Sequence, residues 1–448
     1  MDRKRVLVLG AGLTGLSAAY HLEQAGLGDY LLLERETEVG GLARTRDRNG
    51  FRFDHAIHIL YTRDAYAAEL ICDRLLPGRL RREVRESYCY TNGQFTEYPY
   101  QTNTYGLPTE IVEENIEGLL KARAAADGGP PPAHFEQWIL ATFGSGIARN
   151  FMLPYNRKQW AWDLREMAYD WIEERVPVPD VREVLLGALQ PPRRKFGPNH
   201  EFWYPTEGGI GALPLAFLEH LPEGRLGLGA EVVAIDGVRH AARLAGGEVV
   251  RYERLISTLP IPALVALMGE DPPPAVRAAA ATLRSNRVYT VDVSLRGSGL
   301  RLDKPMHWAY FPDDTISFHR ISFPHRFSEW MVPAGCSSIQ AEISASAVRP
   351  REAGRLVEET LRGLVAVGLL DPLEARPVAE GGRVLSADVD CLDPAYVIYD
   401  LEHRANVGIL HDYLLDLQID NRGRFGSWEY LNMDHAILSG REAALACR

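Results

Sequence analysis

No run of about 18 apolar residues occurs along the 448-residue chain, which leaves nothing able to cross a bilayer as a helix. Cysteine is sparse. The five present (Cys72, Cys89, Cys336, Cys391, Cys447) are odd in number, far apart and without a CxxC, so neither a disulfide framework nor a zinc site is supported, and a reducing, cytoplasmic setting is expected. Positive charge is short as well: 49 Lys plus Arg against 60 Asp plus Glu give -11, which argues against a surface made for nucleic acid or anionic lipid. Lysine is limited to positions 4, 121, 158, 195 and 304, and the arginine bias that replaces it carries no chemistry by itself. No internal repeat is visible. Apolar residues at 46% and charged residues at 24% describe a folded globular protein, and the length suggests about three lobes.

What is present begins at the N-terminus. Arg3, Lys4 and Arg5 before an apolar stretch imitate a signal peptide, but no A-x-A cleavage site follows, so the segment reads as mature structure. Arg5 to Leu9 is a branched apolar run with the character of a buried parallel strand, and it leads into Gly10-Ala-Gly12-Leu13-Thr14-Gly15. A helix is predicted from about Thr14 to Gln24, then a second strand from Tyr30 to Leu33 that ends at Glu34. Gly10 permits the tight turn, Gly12 lets backbone approach a pyrophosphate, and Gly15 allows helix to pack on strand. Glu34, 19 residues after Gly15, has the spacing of an acid that holds an adenosine ribose. A glycine turn without ligand would need strand, helix and acid to fall into register by chance.

Further along, AAADGGPPP at 124 to 132 reads as a surface linker between helices starting near Thr109 and His134. Phe135, Trp138 and Ile139 recur at helical spacing, and Pro177 and Pro179 close that helical region. Short strands return at 228 to 262 and are expected to rejoin the nucleotide-binding sheet. Alternation at Val288, Thr290, Val293 and Leu295 predicts an antiparallel sheet over 286 to 348, the roof of a substrate cleft, and a last helix is expected near Asp434 to Ala446.

Val39-Gly40-Gly41-Leu42-Ala43-Arg44-Thr45 resembles the second glycine motif of FAD enzymes of the amine oxidase, protoporphyrinogen oxidase and UDP-galactopyranose mutase superfamily. The segment NFMLPYNRKQWAWDLREMAYDWIEERVPVPD at 150 to 180 resembles UDP-galactopyranose mutases, the eukaryotic type above all. So do GQFTEYPYQTN at Gly93, GPN at Gly197, FWYPTEGGIGAL at Phe202, SLRG at Ser294, SSIQAEIS at Ser337, LVEET at Leu356, GRFGSWEY at Gly423 and NMDH at Asn432. The resemblance implies an α/β fold: a Rossmann-like FAD-binding domain from 1–80, 228–262 and 384–448, an antiparallel β-sheet substrate domain from 81–104 and 263–383, a helical substrate-cleft insertion at 105–185, and a substrate-domain connection at 186–227.

It also implies a function. In that family reduced flavin N5 is the nucleophile toward the anomeric carbon of a nucleoside-diphosphate sugar, whose pyranose and furanose forms interconvert without net oxidation. FAD would be held by Gly10, Gly12, Leu13, Thr14, Gly15, Glu34 and Arg35, then by Gly41, Leu42 and Ala43. Arg424, Asn432, Met433 and Ala436 would contact it near the last helix, with Val233 by the adenine. Arg175 and Arg296 match the arginines that clamp the pyrophosphate, a geometry suited to a guanidinium fork. Taken singly, they read as a helix-end charge and a strand-edge charge. Tyr396 and Tyr430 match tyrosines whose hydroxyls reach the pyrophosphate, and Asn156 and Trp160 stand near sugar and flavin. Tyr98, Tyr100 and Gln101 match the nucleobase pocket, where a ring can stack on a base. Asn199 and Asn432 join the substrate contacts. His58 matches the histidine of the loop under the flavin, a positional role. Asp54, His55 and His58 lack the further ligand a metal needs, so no metal is expected.

Some positions depart from that pattern. Ala56 and Ile57 stand where the family has Gly-Gly or Gly-Pro, and Ser285 and Asn286 occupy the neighbourhood of an expected tyrosine. Ala395-Tyr396-Val397 replaces GYP, and the segment from Tyr430 to His435 is two residues shorter. These leave open the sugar, the base, and two other readings: an amine oxidase or desaturase type of oxidoreductase, and a non-enzymatic nucleotide-sugar or flavin-binding protein. NADPH is the reductant suggested by the eukaryotic relatives, although no second dinucleotide fingerprint is found. Assembly into homo-oligomers is common in the family.

Overall fold

The structure is a computed structural model that describes residues 3–125, 130–172, 176–191, 199–301 and 304–448. Two seven-stranded sheets organise the chain. In the first, Lys4–Leu9 runs parallel to Tyr30–Leu33 on one side and to Val249–Ser257 on the other. Leu226–Gly227 extends it beyond Tyr30–Leu33, and Ile419–Asn421 pairs with the end of Val249–Ser257. Val6 to Leu9 are almost wholly buried, as a parallel strand covered on both faces requires. The helix Leu13–Gln24 follows one residue earlier than expected. The C-terminal helix Met433–Leu445 crosses it so closely that a Cβ on Gly440 would stand 2.1 Å from the Thr14 carbonyl oxygen.

The second sheet runs in the order Val384–Leu392, Arg287–Arg296, Cys336–Ala345, Arg320–Ser322, Trp308–Tyr310, Ser87–Thr91, Gln94–Glu97. Its neighbours are antiparallel except at one place: Trp308–Tyr310 and Ser87–Thr91 run parallel. The sheet is therefore mixed and not purely antiparallel as expected. More than two hundred residues separate those two strands, a connection long enough for the parallel crossing that no hairpin permits.

Period-2 alternation gives this sheet two chemically different faces. Val291, Val293, Ile339, Ala341 and Ile343 pack in an apolar core that also takes Leu356 and Leu364 from the helix Leu356–Ala366. Thr290, Asp292, Gln340 and Glu342 point the other way and are nonetheless buried. The hairpin of Thr45–Arg48 and Phe51–Asp54 covers part of that polar face, with Arg46 paired to Asp292 at 3.1 Å and Gln340 Nε2 donating to the Asp54 carbonyl at 2.8 Å.

The helices Thr109–Ala125, Phe135–Ile147 and Leu153–Trp160 lie between these parts of the chain in sequence. Another, Val181–Leu189, begins after the two prolines with an Asp180–Glu183 capping box and so carries helix past the expected limit at 185. Among the described residues no helix is long and apolar enough to cross a membrane, and no group of three or more His, Cys, Asp or Glu is arranged to hold a metal.

Candidate active site

At the top of the first sheet the glycine turn makes a cradle. Gly10 has φ +93, and a Cβ on Gly15 would stand 1.8 Å from the Gly10 carbonyl oxygen, so backbone packs on backbone there. A Cβ on Gly12 would meet nothing within 4 Å, so this position faces open space. No side chain caps the helix that starts after Gly12, which leaves its first N–H groups and its dipole to an anion. Glu34 accepts from the Ala11 N–H at 2.7 Å, and the Gly40 N–H donates to the Ala11 carbonyl at 2.8 Å, drawing the turn Gly41–Ala43 alongside. On the other side, Asn421 Oδ1 and Arg424 Nε are buried without a partner among the described residues. Such a cradle fits a dinucleotide with a pyrophosphate.

Leu13 and Thr14 are buried in the first turn of the helix, and Leu42 is half-buried beside Ala43. Met433 and Ala436 pack against the apolar cluster of that helix, after an exposed Asn432 that precedes the last helix. Arg35 is exposed and pairs with Glu36, and Val233 lies partly exposed in the strand Val232–Asp236.

Next to the cradle lies an aromatic group built from distant segments. Trp160, buried at the end of Leu153–Trp160, lies 4.8 Å from Trp171, 5.7 Å from Tyr396 and 6.4 Å from Tyr430 between ring centres. Asn156 accepts from Trp160 Nε1 at 3.3 Å and donates to the Met152 carbonyl at 2.7 Å, so these two motif residues hold each other. Tyr396 and Tyr430 stack at 5.6 Å and 13°. The Arg424 guanidinium lies 4.6 Å from the Tyr430 ring and 5.4 Å from that of Tyr396. Asn286 ties the group together: it donates to the carbonyls of Gln159 and Trp160 and accepts from the Tyr396 N–H, all within 3.0 Å.

The sequence reading missed Arg320. It stands on the polar face of the second sheet, side chain 15% exposed, and makes a two-point pair with the fully buried Glu342 at 2.9 and 2.6 Å. Burial works against its charge, but Glu342, Tyr396 and Tyr155 together outweigh that and hold the guanidinium protonated well above its ordinary range. Among the described residues, three of its five N–H bonds remain for other partners. Beside it, Tyr155 lies 5.4 Å edge-on to Tyr310, which is 5.0 Å from Tyr98. Burial pushes the phenols of Tyr155, Tyr396 and Tyr98 upward, so they are neutral hydroxyls. His58 lies within electrostatic reach of both Arg424 and Arg320. Burial lowers it to about 4, with Arg424 and Arg320 adding to the shift, so its imidazole is neutral at pH 7. The preceding loop carries Ala56 at φ +63, a left-handed backbone that favours glycine, and the Ile57 N–H donates to Glu342 at 3.3 Å.

Other expected residues lie elsewhere. Arg296 is exposed at the end of its strand, six positions past Thr290, which pairs with Glu342. At about 3.4 Å per residue that is roughly 20 Å, beyond the reach of a guanidinium. Tyr100 is interior: it stacks on Phe151 at 4.9 Å, and its hydroxyl accepts from Asn115 at 2.9 Å, so its ring is core and not a platform for a base. Gln101 is buried and donates to the Pro177 carbonyl at 2.7 Å, and Asn199 accepts from Arg85. Arg175 lies outside the described residues. Strand alternation carried a signal for Arg320, since HRIS continues a run of buried residues with one cation in it, but nothing local named Glu342 as its partner.

The family model of flavin containing amine oxidoreductases matches residues 13–304, and the chain belongs to that family. The chain is similar to the crystal structure of a reduced UDP-galactopyranose mutase, with a TM-score of 0.92 and 29% identity over 99% of this chain and 93% of that one. Cyclohexylamine oxidase from Brevibacterium oxydans shares the fold at a TM-score of 0.72 and 15% identity, over 100% of this chain and 99% of that one. Coproporphyrinogen III oxidase of Bacillus subtilis is 30% identical over 182 residues, 37% of this chain and 38% of that protein, so the match spans well under half of the curated relative.

Proposed function

We propose that the protein is a flavin-dependent mutase that interconverts pyranose and furanose forms of a nucleoside-diphosphate sugar, UDP-galactose or a related hexose or deoxyhexose. The observation that carries this reading is a mostly buried cation, Arg320, whose charge acts on Tyr396 of the stacked pair Tyr396 and Tyr430 beside Trp160, in a chain similar over 99% of its length to a UDP-galactopyranose mutase. FAD would be held by Gly10 to Gly15, Glu34, Arg424 and the start of the last helix, and in its reduced form would supply the nucleophile for the anomeric carbon.

The residues then have separable tasks. Arg320, with Arg175, would bind and stabilise a pyrophosphate leaving group, each charge-assisted bond contributing roughly 1.5 to 3 kcal/mol. Tyr396 and Tyr430 would donate neutral hydroxyls to the same phosphates. Trp160 and Asn156 would close the sugar pocket and exclude water. A neutral His58 is suited to positioning and not to donating a proton. NADPH is proposed as the reductant.

A net oxidoreductase is the second reading, favoured by the names of the sequence relatives. The Arg424 guanidinium, 4.6 Å from the Tyr430 ring, disfavours a protonated amine there. The test is anaerobic incubation of the FAD-loaded protein with UDP-galactose, with and without dithionite, followed by NMR of the sugar product. A furanose formed only under reduction supports the mutase; stoichiometric reduction of the flavin by substrate in the arm without dithionite supports the oxidoreductase.

A further inference from the structure

Trp428, two residues before Tyr430, is buried and has φ +55, a left-handed backbone that L side chains resist. Such a conformation persists only where its surroundings over-determine it. Two side chains from one short segment do so. His403 Nε2 bonds to the Trp428 carbonyl at 2.9 Å, and the Tyr399 hydroxyl accepts from the Tyr430 N–H at 2.5 Å. They bracket the strained turn, one on each side of Glu429.

The bracket is itself anchored on the aromatic group. The Tyr399 ring stacks on Trp171 at 5.4 Å and lies 4.5 Å from His403, and Trp171 meets Trp160 edge-on at 4.8 Å. The Ala168 N–H donates to the Tyr399 carbonyl at 2.8 Å. The backbone position of Tyr430 is thus referred back, through Tyr399, to the helix end that carries Trp160.

We propose that Tyr399 and His403 are positioning residues that hold Tyr430 parallel to Tyr396 for the diphosphate of the ligand. This rests on the nucleotide-sugar reading of the site. Neither residue touches the ligand; each acts through the turn from Trp428 to Tyr430. Tyr399→Phe keeps the stacked ring and removes the acceptor. His403→Leu removes the bond to Trp428, and His403→Gln retains a side-chain N–H that can reach the same carbonyl.

The FAD-loaded, reduced protein is titrated calorimetrically with UDP, GDP and dTDP, and turnover is followed with UDP-galactose. Tyr399→Phe and His403→Leu should each weaken the preferred diphosphate about tenfold, the effect of one buried hydrogen bond. KM should rise in step while kcat changes less than about twofold, and His403→Gln should recover affinity. Amide exchange at 429–431 should quicken in Tyr399→Phe. Wild-type affinity in Tyr399→Phe overturns the proposal, whether or not exchange quickens. If the wild-type protein binds none of the three diphosphates, the nucleotide-sugar reading falls; unchanged protection at 429–431 in Tyr399→Phe then overturns the bracket as well.

Discussion

Glu342 grips Arg320 at two points, Nε to Oε1 at 2.9 Å and a terminal nitrogen to Oε2 at 2.6 Å, inside the protein and on the polar face of a sheet. The same carboxylate receives the Ile57 N–H at 3.3 Å, so one acid fixes both the cation and the loop that carries His58. A guanidinium held this way is oriented before any ligand arrives, which is what positioning of an anion demands.

Arg320→Ala should lower kcat/KM at least a hundredfold, about 3 kcal/mol, while Arg296→Ala should stay within about twofold of wild type, because its exposed side chain is remote from the aromatic group. Steady-state kinetics on both variants decides between them. A severe effect at Arg296 with a mild one at Arg320 would reverse the assignment of the pyrophosphate cation.

Two glycines of the same motif should fail in different ways. Gly15→Ala places a Cβ 1.8 Å from the Gly10 carbonyl oxygen and should yield little folded protein. Gly12→Ala meets no protein atom within 4 Å and should fold, yet lose most of its flavin because the methyl group projects into the cradle. Circular dichroism against flavin absorbance per chain separates the outcomes. Full flavin content in Gly12→Ala would place the cofactor away from that glycine.

The first βαβ unit was legible because its signals are local: an apolar run, three glycines and an acid all lie within about thirty residues. Gly10, Gly12, Gly15 and Glu34 are where their spacing put them. Trp160, Asn156, Tyr396 and Tyr430 were legible only through resemblance, and the structure does bring them together. Arg320 was not, because its meaning depends on Glu342, which pairs with it across two strands. A sequence shows an arginine beside alternating residues but not whether its strand faces an apolar core or a buried polar face. The parallel pairing of Trp308–Tyr310 with Ser87–Thr91 was hidden for the same reason, since non-local register leaves no mark in either segment.

His58 titrates at about 4 when folded, against an ordinary 6.5, because burial disfavours the imidazolium. Between those values the unfolded chain binds the proton and the folded chain does not. The neutral ring therefore contributes stability that is complete above about 6.5 and lost as pH falls through about 4. His58→Gln should reduce proton uptake on unfolding near pH 5 by about one. Asp54 and Asp292, both raised to about 6 by burial, act in the opposite sense but cancel in the difference. The slope of unfolding free energy against pH gives the number for each protein. Equal slopes would mean that His58 is already protonated in the fold.

Lys158 connects the two halves of the site. Its buried ammonium donates to the carbonyls of Asp313, Ile316 and Phe318 at 2.7, 2.8 and 2.7 Å, pinning the segment that leads into Arg320 against the helix that carries Asn156 and Trp160. Lys158→Met keeps the length of the stem and deletes all three donors. The buried carbonyls of Ile316 and Phe318, left without this partner, should destabilise the fold by about 3 kcal/mol, and the freed segment should let Arg320 shift, lowering kcat/KM by roughly tenfold, as small misplacements of a binding cation do. Denaturant unfolding with an unchanged slope and a lower midpoint would register the first effect, and kinetics at a concentration where the variant is fully folded the second. A normal kcat/KM in a destabilised Lys158→Met would show that Glu342 alone sets the position of Arg320. A normal midpoint would show that the three carbonyls find other donors.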